Sequence, residues 1–264
     1  NYIIEMGAYY FRFYRDQGQI TVPNITASIT NGAFPSGISS WTDRSGSGSS
    51  ISHDGTNARL NLISNGSTNG HAEQVVTNSS AIEHVLQFQV IGAPGDFVLF
   101  RVGTASTGTQ IVNDFVAEVG YHCYSFTATA ANFYVQFLNQ LAKTVQIDNV
   151  ALLDDAPVEV ATPYAESHLY EIEGPQSADI LYMFHESYPT YRLERRGHTT
   201  WALIEVPWQD GPWLPENTTT TTFTCSAASG LGKTLTASSV NGVNGGAGFT
   251  TADKLGVGCH YCNY

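Results

Sequence analysis

The chain has 264 residues, with 11 Lys and Arg against 23 Asp and Glu, a formal net charge of −12 and only 13% charged residues. No basic run is longer than Arg195-Arg196, which argues against nucleic acid as a partner, because phosphate neutralisation needs many cations on one face. No apolar run approaches the ~20 residues of a membrane-spanning helix, and a hydrophobic content of 42% with 25 Gly, 14 Tyr and 2 Met points to packed cores built from strands.

Tyr2 to Tyr14 mixes aromatic residues with Ile and Phe, and Asp16-Gln17-Gly18 separates it from Gln19-Ile20-Thr21-Val22. This reads as a β-hairpin. The texture turns rich in Gly, Ser and Asn soon afterwards, which places a boundary near residue 24. From there to residue 155, strands recur at Leu60–Leu62, Val85–Val90, Phe97–Val102, Tyr124–Phe126, Phe133–Phe137 and Val145–Ile147. Each alternates with period two and so buries one face. Turn signals at Asn65-Gly66, Asn69-Gly70, Ala93-Pro94-Gly95 and Thr107-Gly108 separate them, the pattern of a sandwich or barrel.

Residues 156–215 return to the Tyr-rich texture of the start, with a short helix expected in Pro163 to Glu173. Strands are expected at Ala178–Phe184, Tyr191–Arg195 and Trp201–Val206. The economical organisation is one β domain made of 1–23 and 156–215, interrupted by an inserted sandwich at 24–155, since insertion is tolerated at exposed turns. Residues 216–264 read as a third, incomplete β unit. The opening at Asn1, in mid-pattern, suggests a piece of a longer gene product.

Candidate chemistry is sparse. Cys259 and Cys262 bracket His260-Tyr261, but no second ligand pair follows and Cys225 stands alone, so neither a zinc site nor a disulfide scaffold is expected. His71 and Glu73 fall on one side of an extended segment, where they could ligate metal, move protons or hydrogen-bond a sugar hydroxyl, or merely form a solvated face. A glycosidase needs two carboxylates roughly 5 to 10 Å apart across a cleft, and no acid of the insert sits in such a context. Nucleophile-elbow, zincin and phosphate-loop motifs are absent, and Gly230-Leu231-Gly232-Lys233-Thr234 lacks the first glycine of the last. Asp148 interrupts the alternation of Val145, Ile147, Val150 and Leu152, where a bulge re-aims a side chain. A carboxylate there suits either Ca²⁺ or turn amides. Trp41, Trp201, Trp208 and Trp213 read as core aromatics before sugar platforms.

Two resemblances cover most of the sequence. Asn31-Gly32-x-Phe34, Trp41, His71-Ala72-Glu73-Gln74, Gly120-Tyr121-His122, Phe133-Tyr134-Val135-Gln136-Phe137 and Ile147-Asp148-Asn149-Val150-x-Leu152 resemble a carbohydrate-binding-module jelly roll. That resemblance implies a structural Ca²⁺ held by Asp148 with carbonyls of the Asn31 turn. It also implies glycan contact on a concave sheet face through His71, Glu73, Arg101 and Tyr134. The flanks are similar to tail-tube or nozzle-type virion proteins of tailed bacteriophages. The similarity is carried by Tyr2-Ile3-Ile4-Glu5-Met6-Gly7, Phe11-Arg12-Phe13-Tyr14-Arg15-Asp16-x-Gly18, Ala161-Thr162-Pro163-Tyr164, Gln176-Ser177-Ala178-Asp179-Ile180-Leu181-Tyr182, Gly197-His198-Thr199 and Trp201. Gly246-x-Gly248-Phe249-Thr250-x-Ala252-Asp253 continues it, and Lys254 to Tyr264 departs.

The expectation is an all-β protein, a jelly-roll sandwich inserted into a split β domain. It would be non-enzymatic and located in the virion, with other virion proteins or its own copies as partners and cell-surface or polysaccharide glycans as ligands. The alternative is the binding module of a secreted, extracellular carbohydrate-active enzyme.

Overall fold

A computed structural model describes residues 2–77, 81–208, 222–226 and 234–239. The chain divides into two compact units, Asn1–Pro207 and Trp208–Tyr264. The first is nearly all β. Its strands begin with β1 (Ile3–Gly7), β2 (Tyr10–Arg15), β3 (Gly18–Gln19), β4 (Thr42–Asp43), β5 (Ser50–Asp54) and β6 (Arg59–Ile63). They continue with β7 (Gly70–Thr77), β8 (Glu83–Ile91), β9 (Phe97–Gly103), β10 (Val112–Glu118), β11 (Gly120–Thr127), β12 (Asn132–Asn139) and β13 (Thr144–Leu152). The last are β14 (Glu159–Ala161), β15 (Gln176–Ser177), β16 (Ile180–His185), β17 (Tyr188–Arg195) and β18 (Trp201–Glu205), with a short 3-10 helix at Glu166–Glu171 between β14 and β15. In the second unit, β19 (Phe223–Cys225) pairs antiparallel with β20 (Leu235–Ala237).

Three antiparallel sheets make the first unit. The smallest has the order β1-β2-β14, with β3 also on β2; a five-stranded sheet runs β10-β9-β12-β7-β4; and a nine-stranded sheet runs β15-β16-β17-β18-β11-β8-β13-β6-β5. The nine-stranded sheet is central because its strands alternate between two cores. Leu86, Phe88 and Val90 of β8, with Leu60, Leu62, Val145 and Ile147, face the five-stranded sheet in a first core that includes Phe100, Val135 and Phe137. On the opposite face, Val85, Cys123, Leu193, Trp201 and Leu203 join Phe11, Phe13, Val158, Val160 and Tyr164 of the small sheet and its continuation in a second core. The first core is thus enclosed in a β-sandwich-like arrangement, and Phe88, Phe100 and Phe137 meet there at ring separations of 5.0 to 5.7 Å.

The hairpin expected across Asp16-Gln17 forms, Tyr14 opposing Gln19 and Arg15 opposing Gly18, and the first segment adds a second fold-back before it. Tyr2 to Tyr14 folds back on itself at Ala8-Tyr9, with Tyr9 at φ 67, so that Ile3 opposes Tyr14. Strands β5, β7 and β10 add to those expected from alternation, and β7 is a full eight-residue strand. The bulge at Asp148 forms as alternation implies: register with β8 shifts between Asp148 and Ala151, and Asn149 takes φ 53.

Charges tie the sheets at one end. Arg192 of β17 reaches Glu118 of β10 at 2.7 Å and also holds Glu194, while Arg196 bonds Glu194 and lies over the Phe115 ring at 4.9 Å. Burial is the largest single influence on Glu194 and pushes its carboxyl up, yet the two arginines together outweigh it and hold it below the usual range.

Candidate functional site

The register of β7, β12 and β9 places Glu73 opposite Gln136 and Gln136 opposite Arg101. His71 and Tyr134 flank this row on the same face, because Ala72, Val76, Phe133, Val135 and Phe137 alternate into the first core. The four residues expected to meet a sugar therefore share the outer face of the five-stranded sheet.

That face is not open at Glu73. The segment Thr104 to Ile111, between β9 and β10, folds back over it as a strap. Ser106 donates its hydroxyl to Glu73 Oε1 at 2.7 Å and Thr107 donates its N–H to Oε2 at 2.6 Å, while Arg44 Nε donates to Oε1 at 3.0 Å. Gln136 Nε2 donates to the Gly108 carbonyl at 2.7 Å, which fixes its amide and leaves Oε1 to accept from His71 Nε2 at 3.1 Å. The strap lies so close that a Cβ on Gly103 would come within 2.4 Å of the Gly108 carbonyl oxygen, a contact only glycine allows. Glu73 is left 2% exposed and His71 5%, and burial holds the His71 imidazole below its usual pKa. Arg101 pairs with Asp114. Tyr134 is half-buried.

Glu73 thus closes a loop. Its removal takes the acceptor from a backbone N–H, a hydroxyl and part of a guanidinium, each bond worth about 0.5 to 1.5 kcal/mol net. Glu73→Ala is expected to lower stability by about 2 kcal/mol, read as a lower urea midpoint with an unchanged m-value. An unaltered midpoint would show that the strap is held by other contacts.

Asp148 and the Asn31 turn meet through Gly32, whose carbonyl accepts the Val150 N–H at 2.9 Å. The Asn31 carbonyl accepts from Trp41 Nε1 at 3.1 Å, and its side-chain amide donates to the Gly37 and Ser39 carbonyls. Among the described residues, Asp148 accepts the next backbone N–H, from Asn149. Burial raises its carboxyl, partly countered by that bond and by the nearby Arg59 cation. Ca²⁺ takes six to eight oxygens; this place offers one carboxylate beside an arginine and carbonyls already engaged, which fits a cation poorly. Among the described residues no group of three or more His, Cys, Asp or Glu is arranged to hold a metal.

Asp148 instead belongs to a second polar row, on the nine-stranded sheet. Asp148 opposes Gln89, and Gln89 opposes Tyr121. Arg59 stands one residue beyond the Leu60 to Ile147 pairing and so beside Asp148. The alternation Gln87/Gln89 and Gln146/Asp148, polar opposite an apolar face, is the sequence signal for this row.

The tryptophans divide. Trp41 and Trp201 are buried in the two cores, Trp208 is exposed, and Trp213 lies outside the described residues. So do Cys259, Cys262, the 230–233 segment and most of the unit expected at 216–264. Cys123 is buried, and burial pushes its thiol far up, away from reactivity.

No protein-family model matches this chain, and comparison with curated proteins finds no relative.

Proposed function

We propose that this chain is a non-enzymatic structural component of a bacteriophage tail, working by assembly, with its sandwich-like part presented as an adhesive module. The observation that carries the assembly role is the distribution of exposed apolar side chains. Ile3 is 71%, Tyr9 62%, Tyr170 99% and Phe184 38% exposed, all in the flanking segments, against only Val75 and Val116 in the longer middle segment. Exposed apolar surface marks interaction sites. The commitment of Glu73 to the strap and of His71 to Gln136 also favours a non-catalytic role, since both side chains are already engaged within the protein.

Sedimentation velocity over a wide concentration range tests this, alongside binding of a hydrophobic dye. Self-association that weakens in Ile3→Ser combined with Tyr170→Ser is expected. A chain that stays monomeric throughout and binds no dye would remove the assembly role.

A further inference from the structure

The row of half-buried polar residues on the nine-stranded sheet has bonding capacity that the protein leaves open. Arg59, Asp148, Gln89 and Tyr121 follow one another across the neighbouring strands β6, β13, β8 and β11. Adjacent strands lie about 4.8 Å apart, so Asp148 and Tyr121 are separated by roughly 10 Å along the sheet, the span of one to two sugar rings. Glu205 extends the row: it follows Leu203, the partner of Tyr121, by two residues on β18 and hence shares its face.

Within this row few groups satisfy one another. Gln89 Oε1 accepts weakly from Asn149 Nδ2 at 3.4 Å, and Gln89 also bonds Tyr121. Arg59 Nη1 donates to Gln146 at 3.2 Å, but its buried Nε has no acceptor. Glu205 is raised by burial alone, with no counter-charge acting on it. Tyr121 packs against the second core, which fixes its ring.

We infer that Arg59, Asp148, Gln89, Tyr121 and Glu205 form a binding platform for a neutral saccharide. Two carboxyl groups accept hydroxyl protons, the outer guanidinium nitrogens and an amide supply donors, and a fixed tyrosine holds its hydroxyl in the row beside Gln89. The charges select the ligand. Two carboxyls against one guanidinium repel an anionic glycan, whereas an uncharged polyol supplies donors that carboxylates lack. The platform lies on the opposite sheet from His71, Glu73, Arg101 and Tyr134, and it does not depend on the assembly role.

Isothermal titration and chemical-shift mapping with neutral cello-, xylo-, manno- and galacto-oligosaccharides test it, with oligogalacturonate as the anionic control. Binding of at least one neutral probe is expected, weakened about tenfold or more by Asp148→Asn and by Glu205→Gln, each costing a charge-assisted bond. Arg101→Gln and Tyr134→Phe are expected to bind as the parent does. Using two separate carboxyl variants keeps the test valid should the Asp148 bulge not tolerate substitution, and unchanged melting temperatures exclude unfolding. Absence of binding across the neutral panel, preference for oligogalacturonate, or loss in Arg101→Gln and Tyr134→Phe instead, would overturn the platform. None of these results bears on sedimentation, so failure here and failure of the assembly role are distinguishable.

Discussion

Replacing Trp201 by alanine is expected to destabilise the first unit by about 4 kcal/mol, a large share of the 5 to 15 kcal/mol that holds a typical domain folded. The indole is 4% exposed and stacks on Phe13 at 3.7 Å with the rings 6° from parallel. The Tyr2 ring meets its edge at 5.3 Å, and its Nε1 donates to the His198 carbonyl at 3.1 Å. Trp201 also sits where the chain's segments join, opposite Cys123 on one side and Arg195 on the other. Hydrogen bonding from β11 to β18 makes the sheet continuous there, so a single cooperative unfolding transition is expected. Trp201→Phe keeps the stack and loses the bond, at about 1 kcal/mol plus a partial cavity. Two separate transitions, with the earlier of them alone responding to Trp201→Ala, would show that the sheet is continuous in geometry but not in energy.

That junction is one place where the sequence conveys less than the structure. The alternation of Leu86, Phe88 and Val90, and of Phe133, Val135 and Phe137, is local, and period two suffices to send those residues into the first core. The same rule puts His71 and Glu73 on one outer face. It is silent on the strap, because Ser106 and Thr107 bond Glu73 across 33 and 34 residues, a pairing that leaves no periodic trace. Trp201 has the same ambiguity: its aromatic character marks burial, but only pairing between β18 and β11 decides which core receives it. The hairpin expected across Asp16-Gln17 forms, with Tyr14 opposite Gln19, but the fold-back before it goes unannounced for a related reason. The fold-back at Ala8-Tyr9 uses a tyrosine in the left-handed region, where glycine or asparagine is the usual signal, so the turn carries no compositional mark.

Strand alternation also distinguishes the two polar rows in energetic terms. In the first, Glu73 and Gln136 meet partners from the strap and His71 bonds Gln136, so the row rigidifies a loop. In the second, Asp148 and Glu205 hold carboxyl groups without side-chain partners, and burial raises both. A partly buried carboxyl without a counter-charge, as at Glu205, is costly to keep for stability alone, which is why the second row carries the stronger functional reading although the first matches the resemblance.

Acid is expected to weaken this fold through His122 more than through any exposed histidine. Its ring is 3% exposed and stacks on Phe88 at 4.9 Å. Nε2 lies 2.7 Å from the Glu118 carbonyl, and since a carbonyl can only accept, that nitrogen carries the proton in the neutral ring. Burial is the dominant cause that lowers its pKa from 6.5 to about 4; the carbonyl bond opposes it, and Arg196 and Glu194 act in opposite directions. Above pH 6.5 the ring is neutral in both folded and unfolded chains, and its contribution is complete. Between pH 6.5 and about 4 the unfolded chain takes up a proton that the folded chain refuses, so stability falls with pH. Below about pH 4 both states are protonated and the loss is complete, at about 3 kcal/mol. His71 and His84, likewise lowered by burial, steepen the same slope. Urea midpoints measured at pH 7, 5.5 and 4.5 for the parent and His122→Phe isolate this residue, because carboxylate titration is common to both. His122→Phe keeps an aromatic ring on Phe88 and should flatten the pH dependence by up to about 3 kcal/mol, even if it is somewhat less stable at pH 7 for want of the bond to Glu118. Parallel pH profiles for the two proteins would place the acid sensitivity elsewhere.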